Sequence, residues 1–139
     1  MPMKVLKAFI VLFICLFCLN LEAQNLLGYK LRDIKKYMRE NQKTMSFQGL
    51  TFNNTFKYAK FADREGNQTT LFFLTADTVC KGIRIICDKN MKADILKELD
   101  TKYSKVGTNK WSENRGDRTY LIELREEEFT LSVTISLKN

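Results

Sequence analysis

The chain reads as an α+β protein. An antiparallel sheet of about seven strands carries two helices on one face, in the order α-ββββ-α-βββ. Three observations predict this. Two segments place apolar residues at helical spacing with charges on the opposite side. Two runs, the continuously apolar Thr70 to Thr75 and Val79 to Cys87, are the most apolar strands and read as central. The last run alternates Phe129, Leu131, Val133, Ile135 and Leu137 with Thr130, Ser132, Thr134 and Ser136, which calls for a sheet with one face buried and one wet.

The first helix is expected over residues 25–44. Leu27, Leu31, Ile34 and Met38 form its apolar stripe, Gly28 sits at its start, and Asn41 to Lys43 end it. Met45 to Phe52 and Phe56 to Phe61 follow as a hairpin around Asn53-Asn54, and polar Asp63 to Gln68 with Gly66 is a turn. Ala76-Asp77-Thr78 turns the first central strand into the second. The second helix is expected over residues 90–105. Met91, Ile95, Leu99 and Tyr103 share a stripe with Leu96 beside it, Asp88 or Asn90 caps it, and Gly107 stops it. Short Lys110 to Ser112, a turn at Arg115-Gly116-Asp117, a strand with Tyr120, Ile122 and Leu124 alternating, and the final run complete the sheet. A helix-plus-antiparallel-strands unit thus occurs twice.

The N-terminal stretch speaks to compartment. Lys4 and Lys7 precede an unbroken apolar run from Ala8 to Leu19, then Asn20 to Gln24 with small Ala23. That is the order of a signal peptide, with cleavage expected after Ala23 and residues 24–139 forming one domain. The run is shorter than the roughly 20 residues of a membrane-spanning helix, so a retained anchor is the weaker reading. Lipidation at Cys15 or Cys18 is disfavoured because Ile14 and Phe17, not small residues, precede them. The mature protein is expected in the periplasm or outside the cell, and the Ala-Gln junction resembles those of proteins exported by Gram-negative bacteria.

The net charge of +7 falls to +6 when Lys4, Lys7 and Glu22 leave with the leader. A basic surface suits anionic lipid, glycan or an acidic protein. Nucleic acid fits the charge but not the compartment. The charges are dispersed, and Glu126-Glu127-Glu128 counters them, so a solvated surface is the simplest account. Membrane contact is expected only through the uncleaved leader.

Cys80 and Cys87 remain after cleavage. In one regular strand they lie roughly 23 Å apart, too far for a disulfide, and their odd spacing sends them to opposite faces unless Gly82 breaks the strand. Buried cysteines acting as small apolar residues are expected. No His occurs in the chain, so no metal and no cofactor are expected, and the commonest general base is absent. There is no G-x-S-x-G, phosphate loop or zinc spacing. A carboxylate-only hydrolase would need a facing pair, and Asp63 with Glu65 or Asp94 with Glu98 falls in a turn or on a wet helix side.

The candidate binding patch is Trp111 and Tyr120 with Lys110, Arg115 and Arg118, an aromatic and basic cluster around one loop. The competing reading makes Trp111 a core cap against the second helix. Arg115-Gly116-Asp117 matches an adhesion tripeptide and also suits a hairpin turn. Asp77-Thr78-Val79 resembles the acceptor of a periplasmic O-glycosylation system, with Thr78 as the modified residue. Asn53-Asn54-Thr55 and Asn67-Gln68-Thr69 are N-glycosylation sequons only in a eukaryotic source.

The opening Leu27-Gly28-Tyr29-Lys30-Leu31-Arg32-Asp33-Ile34-Lys35-Lys36-Tyr37-Met38, followed by antiparallel strands, resembles the helix-then-strands unit of β-lactamase-inhibitor-like proteins and small outer-membrane-assembly lipoproteins. The resemblance implies protein binding without catalytic residues. The chain departs from that unit in having four strands rather than three in its first half, and in lacking a lipobox or stapling disulfides. The expected function is an exported, non-enzymatic interaction protein whose partner is an envelope or extracellular protein. The alternative is a carrier of a small apolar ligand between sheet and helices, with Phe52, Phe56, Phe61, Phe72 and Phe73 as lining.

Overall fold

The computed structural model describes residues 26–139; the expected leader and its cleavage site lie outside the described residues. Two helices and eight strands follow one another: α1 (Leu31–Asn41), β1 (Met45–Phe52), β2 (Lys57–Asp63), β3 (Gln68–Leu74), β4 (Cys80–Asp88), α2 (Lys92–Lys102), β5 (Ser104–Gly107), β6 (Lys110–Arg115), β7 (Arg118–Glu126) and β8 (Thr130–Leu137). The fold is α+β, and the strands form one antiparallel sheet in the order β1-β2-β3-β4-β8-β7-β6-β5. Each half is a helix followed by a four-stranded meander. The last strands of the halves, β4 and β8, pair at the centre.

The sheet has eight strands rather than about seven. The residues expected to finish the second helix instead pair with β6, Ser104 opposite Ser112 and Lys105 opposite Trp111. The helix ends where the Tyr103 N–H donates to the Leu99 carbonyl and the backbone turns extended. The expected side-chain cap sits one turn earlier: Asp88 caps a single 3-10 turn over Lys89–Met91, its carboxylate accepting from the Asn90 N–H at 2.8 Å, and the helix itself starts from Met91 without a side-chain cap.

α1 is shorter than the apolar spacing implies. Gly28 takes a left-handed φ of 86°, which suits a residue with no Cβ, and its N–H donates to the Cys80 carbonyl at 2.8 Å. Lys30 then bridges Val79, so residues 28–30 run alongside the entry to β4 before the helix begins. The helix buries Ile34 and Met38, an i, i+4 pair, with Asp33 in its first turn and Arg39 in its last, each matched to the helix dipole.

One core serves both helices. The register places Ala59, Phe72, Ile83, Ile135, Ile122 and Trp111 in a row across six strands, every one of them fully buried. Ile34 and Met38 from α1, and Ile95, Leu99 and Tyr103 from the second helical segment, close the core from the same side. Phe61 and Phe72 meet edge to face at 5.5 Å, a favoured aromatic geometry.

β4 corrects the expectation for the cysteines. Phe73 pairs with Gly82 but Leu74 pairs with Cys80, so Lys81 is an extra residue in a β-bulge. The bulge reverses the side-chain parity, and Cys80 and Cys87 both point into the core as free thiols.

The β3–β4 turn holds Thr78 at φ 63°, a region where β-branched residues are rare. The Leu31 N–H, donating to the Thr78 carbonyl at 2.9 Å, fixes that geometry to the start of α1. Strain at such a residue is about 1–3 kcal/mol, while glycine adds about 0.5–1 kcal/mol of chain entropy to fold. Thr78→Gly is therefore expected to raise the urea midpoint, with a net gain of about 1 kcal/mol, and Thr78→Val to lower it.

Candidate functional site

The two faces of the sheet differ in chemistry. On the face away from the helices, one cross-strand row runs Lys60, Leu71, Arg84, Thr134, Glu123, Lys110 from β2 to β6. A second row runs Tyr58, Phe73, Gly82, Ser136, Leu121, Ser112, and a third runs Ala62, Thr69, Ile86, Ser132, Arg125. No described element covers this face. It carries a half-buried apolar strip on β2–β4 and β7, a hydroxyl strip on β8, and the cations Lys60, Arg84, Arg125 and Lys110. Glu123 stands opposite Lys110, and Asp88 at the strand end already caps Asn90. Arg84 lies over the Phe73 ring at 5.7 Å, and Tyr58 meets the same ring at 5.7 Å between centroids. An arginine on an aromatic face is held in place and keeps its guanidinium edge free for an acceptor.

The structure does not bring the expected loop patch together. Trp111 is fully buried, and its indole N–H donates to the Asp100 carboxylate on α2 at 2.9 Å, which is the core-cap role. A ring so placed is closed to any partner. Lys110, one residue earlier, points to the opposite face. Arg115 and Arg118 stand across the hairpin from each other, Arg115 pairs with Glu113 at 3.2 Å, and Tyr120 is half-buried beside them. Gly116 at φ 60° and Asp117 make the two-residue turn, so the Arg-Gly-Asp run is built as a hairpin. Thr78 is half-buried in its turn, its hydroxyl donating to the Asp77 carbonyl at 2.6 Å.

The five phenylalanines expected to line a ligand pocket are likewise distributed. Phe61 and Phe72 fill the core, Phe73 lies on the uncovered face, and Phe52 and Phe56 are exposed at the β1–β2 end. Where α1 meets the sheet, the space between Tyr37, Met38, Met45, Thr70 and Ile85 amounts to about 10 Å³, room for a water and no more.

Three of the four residues of the acidic pairs are engaged in structure, and Asp94 lies exposed on α2. Asp63 accepts from the Gln68 N–H at 3.0 Å, Glu65 accepts from Asn67 at 3.1 Å, and Glu98 pairs with Lys102 at 3.1 Å. Glu126 pairs with Lys92 at 2.9 Å, and the hydrogen bond from that lysine lowers its pKa. Among the described residues, no three His, Cys, Asp or Glu side chains gather into a group that could hold a metal, and no helix is long and apolar enough to cross a membrane.

Burial pushes both thiols up from the usual 9.0 to about 11, Cys80 partly offset by a backbone hydrogen bond with Gly82 and Cys87 reinforced by Asp88. A thiol held protonated is a poor nucleophile. The cations of the uncovered face were legible only in part. Arg84 interrupting an apolar strand was the available signal, but its alignment with Lys60, Arg125 and Lys110 depends on registers between distant strands.

Comparison with known protein families, curated proteins and solved structures returns no match to this chain.

Two predictions test these assignments. Trp111→Ala is expected to cost about 3–5 kcal/mol by urea unfolding, whereas Arg118→Ala stays within about 0.5 kcal/mol. The folded thiols keep protons that the unfolded chain releases between pH 9.0 and about 11. Their contribution to stability is complete below that window and lost as pH rises through it. The urea midpoint should fall across the window, and fall less in Cys80→Ala/Cys87→Ala. Tyr103, its pKa also raised by burial, acts at the alkaline end in both proteins.

Proposed function

We propose that this chain is an exported, non-enzymatic interaction protein that binds an acidic surface of an envelope or extracellular protein through the uncovered face of its sheet. The observation that carries the reading is the composition of that face: four cations against one uncapped carboxylate, interleaved with half-buried Leu71, Phe73, Tyr58, Ile86 and Leu121. Aromatic side chains and arginine, here Tyr58 and Phe73 beside Arg84, are enriched at protein interfaces. Charge of one sign speeds encounter with a partner of the other and selects its orientation. Export is supported by the order of charged, apolar and small residues before Gln24. A non-catalytic role is supported by the absence of His and by the engagement of Asp63, Glu65 and Glu98 in turns and helix surface.

The test is site-specific photo-crosslinking in cells that export the chain, with the photoreactive residue at position 71 or 86, and at 97 on the exposed side of α2 as control. One discrete protein adduct from 71 and 86 that is absent from 97, and that weakens by about tenfold or more in Lys60→Glu/Arg84→Glu, is expected. Adducts independent of position, or indifferent to the charge reversal, would overturn the reading.

A further inference from the structure

The two edges of the sheet are unequal. β5 is four residues long, carries Lys105, and is bulged between Lys105 and Gly107. Short, charged and bulged edges resist the addition of another strand. β1 has eight residues, MSFQGLTF, with no charge and no proline. Its bulge at Gln48 leaves regular pairing on both sides, and its outer backbone groups have no described strand opposite them.

Beside this edge, between α1 and β1, lies a groove of about 370 Å³ lined by Lys35, Arg39, Lys43, Met45, Phe47 and Phe61. Its walls hold three cations and no acid. Lys35 sits 4.1 Å from the Phe47 ring centroid, and no ion pair forms between these cations and a described carboxylate. Further along the same side of β1, Leu50 and Phe52 are 41% and 75% exposed.

We infer that β1 is a peptide-docking edge. It accepts an extended acidic segment of another protein as a ninth strand, with carboxylates against Lys35, Arg39 and Lys43 and apolar side chains over Leu50 and Phe52. Strand addition supplies main-chain hydrogen bonds, and alternate side chains supply selectivity. The alternation delivers side chains to the helix side of the edge, where the groove lies. Charge excludes the nearer occupants. The stretch before the described residues brings Lys4 and Lys7 with Glu22 alone. A second copy pairing antiparallel through β1 would be related by a two-fold axis normal to the sheet, which sets the two α1 helices side by side with their cations together. The site shares no residue with the uncovered face and does not depend on its reading.

The probe is a fluorescein-labelled octapeptide with Glu, Glu, Val and Val at alternate positions and Thr between, and its reversed sequence to cover both strand directions. Saturable anisotropy is expected, weakening with salt. Affinity should fall by about tenfold or more in Arg39→Glu/Lys43→Glu, and fall also in Phe52→Ser. Alternate N-methylation of the peptide should abolish binding, and protection from deuterium exchange should be confined to the edge of β1. Lys60→Glu/Arg84→Glu, on the other face, should leave peptide binding intact. Any of the following would overturn the inference: no binding, equal binding of a peptide with Lys in place of Glu, indifference to the α1 charge reversal, protection elsewhere, or displacement of the peptide by dimers in sedimentation or by phosphatidylglycerol vesicles.

Discussion

The pairing of β4 with β8 is the constraint on which the rest depends. These strands lie at the ends of the two halves, so their ladder is made between residues some fifty positions apart and joins two meanders into one sheet. Ile83 and Ile85 on β4 stand opposite Ile135 and Val133 on β8, and all four are buried. Neither half could bury its own last strand alone. Because β4 and β8 are antiparallel, the two helices arrive over the same face and share one hydrophobic core, which leaves the other face without a layer.

That arrangement explains how much of the fold was legible. Alternation in β8 and helical spacing in α1 and α2 report which side chains are apolar, and one-sided burial turns this directly into period two and period 3.6. What was not legible came from contacts across the chain. Gly28 and Lys30 leave the helix because Cys80 and Val79 at the entry to β4 receive them, and β5 exists because β6 lies beside it. Cys80 and Cys87 share a face because Lys81 is accommodated as an extra residue against β3. Local pattern carries no information about any of these partners.

The candidate surfaces show the same division. Trp111, with polar and basic neighbours in sequence, reads equally as a binding anchor or a core cap, and the register decides by sending it inward and Lys110 outward. An aromatic beside cations is ambiguous until the face is known. Conversely, Lys60, Arg84, Arg125 and Lys110 come from four strands and share one face only through the ladder, so no window of sequence contains them.

Duplication of the helix-and-meander unit creates two outer edges, and each must either be blunted or used. The second half blunts its edge: β5 is short, Lys105 lies on it, and a bulge twists it away from further pairing. The first half keeps a long, uncharged edge whose one bulge, at Gln48, leaves regular pairing on either side. An uncharged, unpaired edge strand invites self-association, and the basic flank of α1 answers that hazard by like-charge repulsion against another copy. The same cations attract a strand of opposite charge. One device therefore serves both ends, discouraging the wrong partner and selecting the right one, which is how specificity is obtained where the backbone alone would accept any strand.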